Sequence, residues 1–215
     1  FLGDKWIAAS ALQKAIRRGD ANVGKCAAQA LSGLSQSMLW RRIACTVLED
    51  IAPLDIDLTI TALSRTPELS DLNALVERLC GAVKDRSTDY LTSIIQYAPD
   101  LANARKNWRG NLQPSDYPWE IVSGSDIEIR AMLAWHQAGT ASVPSDVLPH
   151  KTGKPAQVFD GFIKAGIPET LVRACADALK RLRNPLPLFY PLLWQDISRS
   201  VRTEIIDNPL PARPG

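Results

Sequence analysis

Apolar side chains along this chain recur mostly at three- and four-residue intervals, the spacing that lines up one face of an α-helix. Val23, Cys26, Ala27, Ala30, Leu31 and Leu34 form one such stripe. Asp20 stands where an N-cap would accept the first free amides, and Gly19 where the preceding helix would close. Trp40, Ile43, Ala44, Val47, Leu48 and Ile51 make the next stripe, with Ser37 as the expected cap and Pro53 as the stop. The spacing returns at Leu72, Leu75, Val76, Leu79, Cys80 and Val83, then at Leu91, Ile94, Ile95 and Ala98. It resumes at Ile129, Met132, Leu133 and His136, around Phe159 to Ala165, and at Leu171, Cys175, Ala178, Leu179 and Leu182. Ile56, Leu58, Ile60 and Ala62 alternate with a period of two. Helical neighbours and a cap at Asp55 favour a short helix over a strand that would have no partner. The pattern predicts an all-α fold, a multi-helix bundle of amphipathic helices.

Breaks in the pattern suggest the organisation. Between Asn103 and Ser125 the periodicity fails, and Gly110, Pro114, Pro118 and Gly124 punctuate the stretch. A second irregular segment runs from Gly139 to Pro155. The reading is an N-terminal helical region over 1–102, an irregular connection over 103–125, a C-terminal helical region over 126–207 packed on the first, and a proline-rich, disordered tail over 208–215.

Composition narrows the function classes. With 215 residues, 46% hydrophobic and 22% charged, the chain has an ordinary globular balance and a core that needs no staples. Twenty-five Lys and Arg against 23 Asp and Glu leave a formal charge of +2, too small an excess to mark a nucleic-acid binder without local clustering. No apolar run has the roughly 20 residues that span a bilayer, so no membrane partner is expected. The opening Phe-Leu-Gly-Asp-Lys-Trp has neither a basic nor an apolar signal region and reads as a fragment or processed start. Cys26, Cys45, Cys80 and Cys175 lie far apart on apolar helix phases, which predicts buried free thiols in a reducing, cytoplasmic setting.

Motifs for catalysis are sparse. Two histidines and scattered cysteines give no zinc spacing, so neither a metal nor any other cofactor is expected. His136 falls on an apolar phase, as a packed core histidine does; His150 sits in a loop. The run His150 to Lys154 lacks the first glycine of a phosphate loop and the hydroxyl residue after its lysine. The paired carboxylates Asp55 and Asp57, and Glu49 and Asp50, have no recognisable pocket around them. The chain is therefore read as non-catalytic, although an ATPase could lie elsewhere in a longer protein. One basic and aromatic cluster, Arg105, Lys106, Trp108 and Arg109, has the chemistry to neutralise phosphates and stack a base. Its plainer reading is a loop that Trp108 anchors while the cations stay solvated. Cations at Arg173, Lys180, Arg181 and Arg183 fit a solvated helix end.

Residues 10–58 carry a resemblance. Ser10, Ala11, Leu12, Lys14, Arg18, Gly19 and Asp20 are followed by an alanine-rich helix, then by Arg41, Arg42, Ile43, Glu49, Asp50 and Ile51. In this order they resemble the region C-terminal to the ATPase module in replication-associated recombination ATPases of the AAA+ class, relatives of bacterial clamp-loader subunits. The resemblance covers about a quarter of the chain and none of the ATPase motifs. It implies a clamp-loader-collar-like N-terminal part, working in oligomerisation or scaffolding within DNA replication or repair.

Physics points to the same helix. Arg42, Thr46, Glu49 and Asp50, with Arg41 beside them, form a polar face opposite the apolar stripe, able to bind another helix through charge-assisted hydrogen bonds. Whether that helix is in the same chain or another is open at this level. The expected function is a non-catalytic assembly or adaptor domain that binds a protein partner or a second copy. The alternative is a nucleic-acid-binding module using the segment 105–109.

Overall fold

The computed structural model describes residues 3–51, 53, 55–64, 69–97, 121–124, 126–139, 154–182 and 184–207. Among them the regular elements are helices: α1 (Lys5–Arg18), α2 (Ala21–Leu34), α3 (Gln36–Asp50), α4 (Ile56–Leu63), α5 (Leu69–Gly81), α6 (Ser87–Tyr97), α7 (Ile127–Ala138), α8 (Pro155–Lys164), α9 (Glu169–Leu182) and α10 (Leu186–Asp207). Extended pairing among these residues is limited to an isolated antiparallel bridge between Ile51 and Lys84. The fold is an all-α multi-helix bundle.

Local chemistry explains the boundaries. The carboxylate of Asp4 accepts from the amides of Trp6 and Ile7, that of Asp20 from Val23, and that of Asp55 from Leu58, so each satisfies amides that an N-terminus leaves unpaired. Gly19 closes α1 with φ 77°, left-handed backbone that glycine adopts without a Cβ clash. Helix α3 starts two residues earlier than Ser37 suggests: the hydroxyl of Ser35 accepts from Met38. The alternating segment at Ile56 is helical, as its cap and neighbours predict.

Three apolar stripes need correcting. In α2 the buried residues are Gly24, Ala27, Ala28 and Leu31, whereas Val23 is 43% exposed, Leu34 42% exposed and Cys26 exposed. The buried face is turned by about one residue because α2 meets α5 through Gly24. A Cβ there would lie 2.9 Å from Val76 Cγ1 and 3.3 Å from Cys80 Sγ. Cys26 is accordingly not the buried thiol the periodicity predicts, and Cys45 is half-buried; Cys80 and Cys175 are buried, and all four are free. Val83 is also exposed, as is Ile94 in α6. Helix α5 ends at Gly81, and the Lys84 ammonium turns back to donate to the carbonyls of Leu79, Cys80 and Ala82.

One core joins the earlier helices to the later ones. Leu12, Ile16, Leu31, Ile43 and Leu48 belong to the same buried cluster as Trp135, Phe162, Cys175 and Phe189. At about 1.5–3 kcal/mol for each large apolar side chain removed from water, this cluster is the main stabilising contribution. Helices α3 and α4 pack on α9, and α6 packs on α7 and α10. Between α4 and α10 the hydroxyls of Thr59 and Tyr190 share a buried 2.7 Å hydrogen bond. Helix α7 is covered on all sides from Arg130 to Ala138, His136 included. The Arg130 guanidinium, 1% exposed, is satisfied there by the Ile121 carbonyl, Gln195 and Asp196.

Candidate functional site

Helices α1 and α3 run side by side in the same direction, because residues late in one meet residues late in the other. Arg17, in the last turn of α1, donates from Nε to Asp50 Oδ1 at 2.8 Å and from an η nitrogen to Oδ2 at 3.1 Å. One and two turns earlier, Gln13 donates its amide to Glu49 at 2.7 Å and accepts from Arg42 at 2.9 Å. Trp6, Ser10, Gln13 and Arg17 recur at 4-3-4 spacing on α1, and Met38, Arg42, Cys45 and Glu49 recur the same way on α3. The two helices therefore share a polar seam.

The closed end of this seam is electrostatically demanding. Asp50 is fully buried, held by the Arg17 fork, with the Arg86 Nε 3.5 Å from Oδ1. Arg86 in turn pairs with Asp89 in α6 and lies over the Tyr90 ring at 5.3 Å. The segment following α5 is pinned here as well, since the Asp85 amide donates to the Asp50 carbonyl at 3.0 Å. Beside this cluster the Glu49 carboxyl is pushed up to about 7, first by burial and then by the charges of Asp50 and Asp89, against the opposing pull of Arg42 and Arg17. The Gln13 amide donates to it, so near neutrality it exchanges a proton with solvent while anchored to a neutral group.

At the N-terminal end the seam opens into a groove of about 720 Å³. Lys5 and Trp6 from α1 form one wall, and Met38, Trp40, Arg41 and Arg42 from α3 form the other. The Ser35 and Ser37 side chains lie at the α3 entrance, Cys45 lies deeper, and Arg181 from α9 completes the lining. No carboxylate is among its described lining residues. Trp6 is 66% exposed, a large indole in water, with the Lys5 ammonium 5.9 Å from its ring. Arg41 is exposed and has no carboxylate partner among the described residues. Arg181 is tied into the wall, where its guanidinium donates to the Leu63 carbonyl at the end of α4. Burial pushes the Cys45 thiol up to about 11, with Glu49 adding to the shift and Arg42 and Arg41 opposing it, so it is neutral at physiological pH.

The structure thus divides the polar face read from the sequence. Thr46 is buried and donates to the Arg42 carbonyl; Glu49 and Asp50 face α1 of the same chain. The helix that this part of the face meets is intramolecular. Arg41 and Arg42 instead reach the groove, Arg42 serving both regions. Arg105, Lys106, Trp108 and Arg109 lie outside the described residues, as do His150 and the segment 208–215. Among the described residues there is no cluster of three His, Cys, Asp or Glu placed to hold a metal ion, and no helix long and apolar enough to cross a membrane. Lys5, Trp6 and Arg181 had not been singled out as a binding set. The signal for Trp6 was available: an indole on the stripe that carries Gln13 and Arg17, away from the apolar residues Ala8, Leu12 and Ile16.

No protein-family model, curated protein or solved structure matches this chain.

Proposed function

We propose that this chain is an assembly or adaptor domain, acting through contact with a protein and not through catalysis, and that the groove between α1 and α3 is its contact site. The observation that carries this reading is the exposed Trp6 indole facing Met38, Trp40 and Arg41 across an open groove. Tryptophan, methionine and arginine are the residue types enriched where proteins bind one another, and an indole left two-thirds in water gains by being covered. Oligomerisation within DNA replication or repair machinery, which the resemblance of residues 10–58 implies, belongs to the same proposal. So does a reducing, cytoplasmic setting, which the four free thiols support.

The test is site-specific photocrosslinking in the cells that make the protein, with a benzophenone amino acid at Trp6 and, as control, at Val83, exposed beyond the end of α5. A protein adduct formed from position 6 and not from 83, whether another chain or a second copy, supports the reading. Adducts only with nucleic acid, or none at position 6, overturn it.

A further inference from the structure

Resting on that docking reading, we infer that the groove takes an acidic protein segment that inserts a large apolar side chain between Trp6 and Trp40. Charge complementarity carries this. Lys5, Arg41 and Arg42 come from two helices and line a space with no carboxylate among its described lining residues. Elsewhere several of the described cations are matched within the chain. Arg17 and Arg86 serve Asp50, Lys25 pairs with Glu77, Arg130 with Asp196, Arg173 with Glu169, and Lys180 with Asp177. In the groove, cations stand beside an exposed indole instead.

The apolar half of the ligand follows from Met38 and Trp40. Both are half-buried and packed against the core, which fixes that wall, while the Trp6 indole of the opposite wall stands largely in solvent. A groove of about 720 Å³ is larger than any one side chain, so an inserted residue would be accompanied by its neighbours. A nucleic-acid strand is the less suited occupant. It needs a basic track along its backbone, whereas these cations are gathered in one place on a chain of net charge +2.

The experiment uses the purified chain and short fluorescein-labelled peptides, read by anisotropy at low and physiological salt. The probes are a peptide of Asp and Glu around one Phe, the same peptide with Phe→Ala, and one with Gln in place of every acidic residue; oligothymidylate is the fourth. The acidic, Phe-containing peptide is expected to bind, to weaken with salt, and to bind more tightly than either altered peptide. Arg41→Glu should weaken it about tenfold or more, the effect of losing one attractive charge and adding a repulsive one. Trp6→Ser should do likewise through the anchor, and Val83→Ser should not. Both site residues are exposed, and unchanged circular dichroism confirms that the variants fold. Equal binding of the Phe→Ala or Gln peptide, tighter binding of oligothymidylate, or no binding at all overturns the inference. If protein adducts still form at position 6, the docking reading survives that failure; if they do not, both fall.

Discussion

The two ends of the Arg17–Asp50 ion pair should respond unequally to mutation. Asp50 is fully buried, whereas the Arg17 and Arg86 side chains are each 37% exposed. Arg17→Met removes the two-pronged donor and leaves a buried carboxylate with Arg86 at 3.5 Å as its remaining charged partner. Removing one member of a buried pair costs about 3–5 kcal/mol because the other charge cannot return to water. Arg86 compensates in part, which places the expected cost near about 3 kcal/mol. Asp50→Asn keeps the shape and one acceptor oxygen, and the released guanidiniums rehydrate from their exposed sides. Its cost should be about 1 kcal/mol, that of weakening hydrogen bonds that remain satisfiable. Equilibrium urea unfolding followed by far-ultraviolet circular dichroism measures both, and the double variant closes the cycle. If Asp50→Asn costs as much as Arg17→Met, or both cost less than about 0.5 kcal/mol, burial of Asp50 is not what governs this cluster.

Glu49 gives a pH prediction of definite sign. Its folded value of about 7 lies above the ordinary 4.5, so between them the folded chain holds a proton that the unfolded chain has lost. Stability from this group is complete below 4.5 and is lost as pH rises through 7; at about 1.4 kcal/mol per unit the ceiling is about 3 kcal/mol, and partial solvent access brings it to about 1–2. Glu49→Gln should therefore leave stability unchanged at pH 5 and raise it at pH 8 in urea titrations, and equal differences at the two pH values would refute the assignment. Tyr190→Phe should cost about 1–3 kcal/mol by stranding the buried Thr59 hydroxyl, and adding Thr59→Val should cost less than the sum of the two single changes. Gly24→Ala should destabilise by about 1 kcal/mol despite alanine's better helix propensity, since its Cβ would lie 2.9 Å from Val76 Cγ1. Val76→Ala in the same chain should recover part of that loss in thermal melts.

The elements were largely legible because their signals are local. The stripe Leu171, Cys175, Ala178, Leu179 and Leu182 is buried as spaced, and Asp20, Gly19 and Asp55 act at the boundaries where their chemistry suits them. The face of α2 was misjudged because Val23 and Cys26 count as apolar in any pattern, while the true contact is made by a glycine that no hydrophobic stripe includes. For the candidate site the sequence went halfway. Arg41 to Asp50 reads as one polar face on one helix, and only the arrangement of α1 shows that its lower turns are occupied. Lys5, Trp6 and Arg181 were hidden by distance along the chain, since nothing local tells a tryptophan in the first turn of α1 that it will face one in α3.

That occupied portion is what gives the open portion its shape. The Arg17 fork, the Gln13 bridge to Glu49 and Arg42, and the Asp85 amide on Asp50 fix α1 against α3 at several successive levels. With both helices rigid and parallel, the separation of Trp6 from Trp40 and Arg41 is set two turns away, at a cluster that touches no ligand. Hydrogen bonds between ordered helices reduce what binding must spend on ordering side chains and backbone. Gln13→Ala would cut the bridge and release Arg42 from its acceptor while removing no groove-lining side chain. If the seam positions the groove, this change weakens the acidic peptide while Trp6 and Arg41 are intact, and it shifts the emission of the exposed indole in the free protein. If peptide affinity and emission are both unchanged, the groove is shaped locally, and the polar seam serves stability alone.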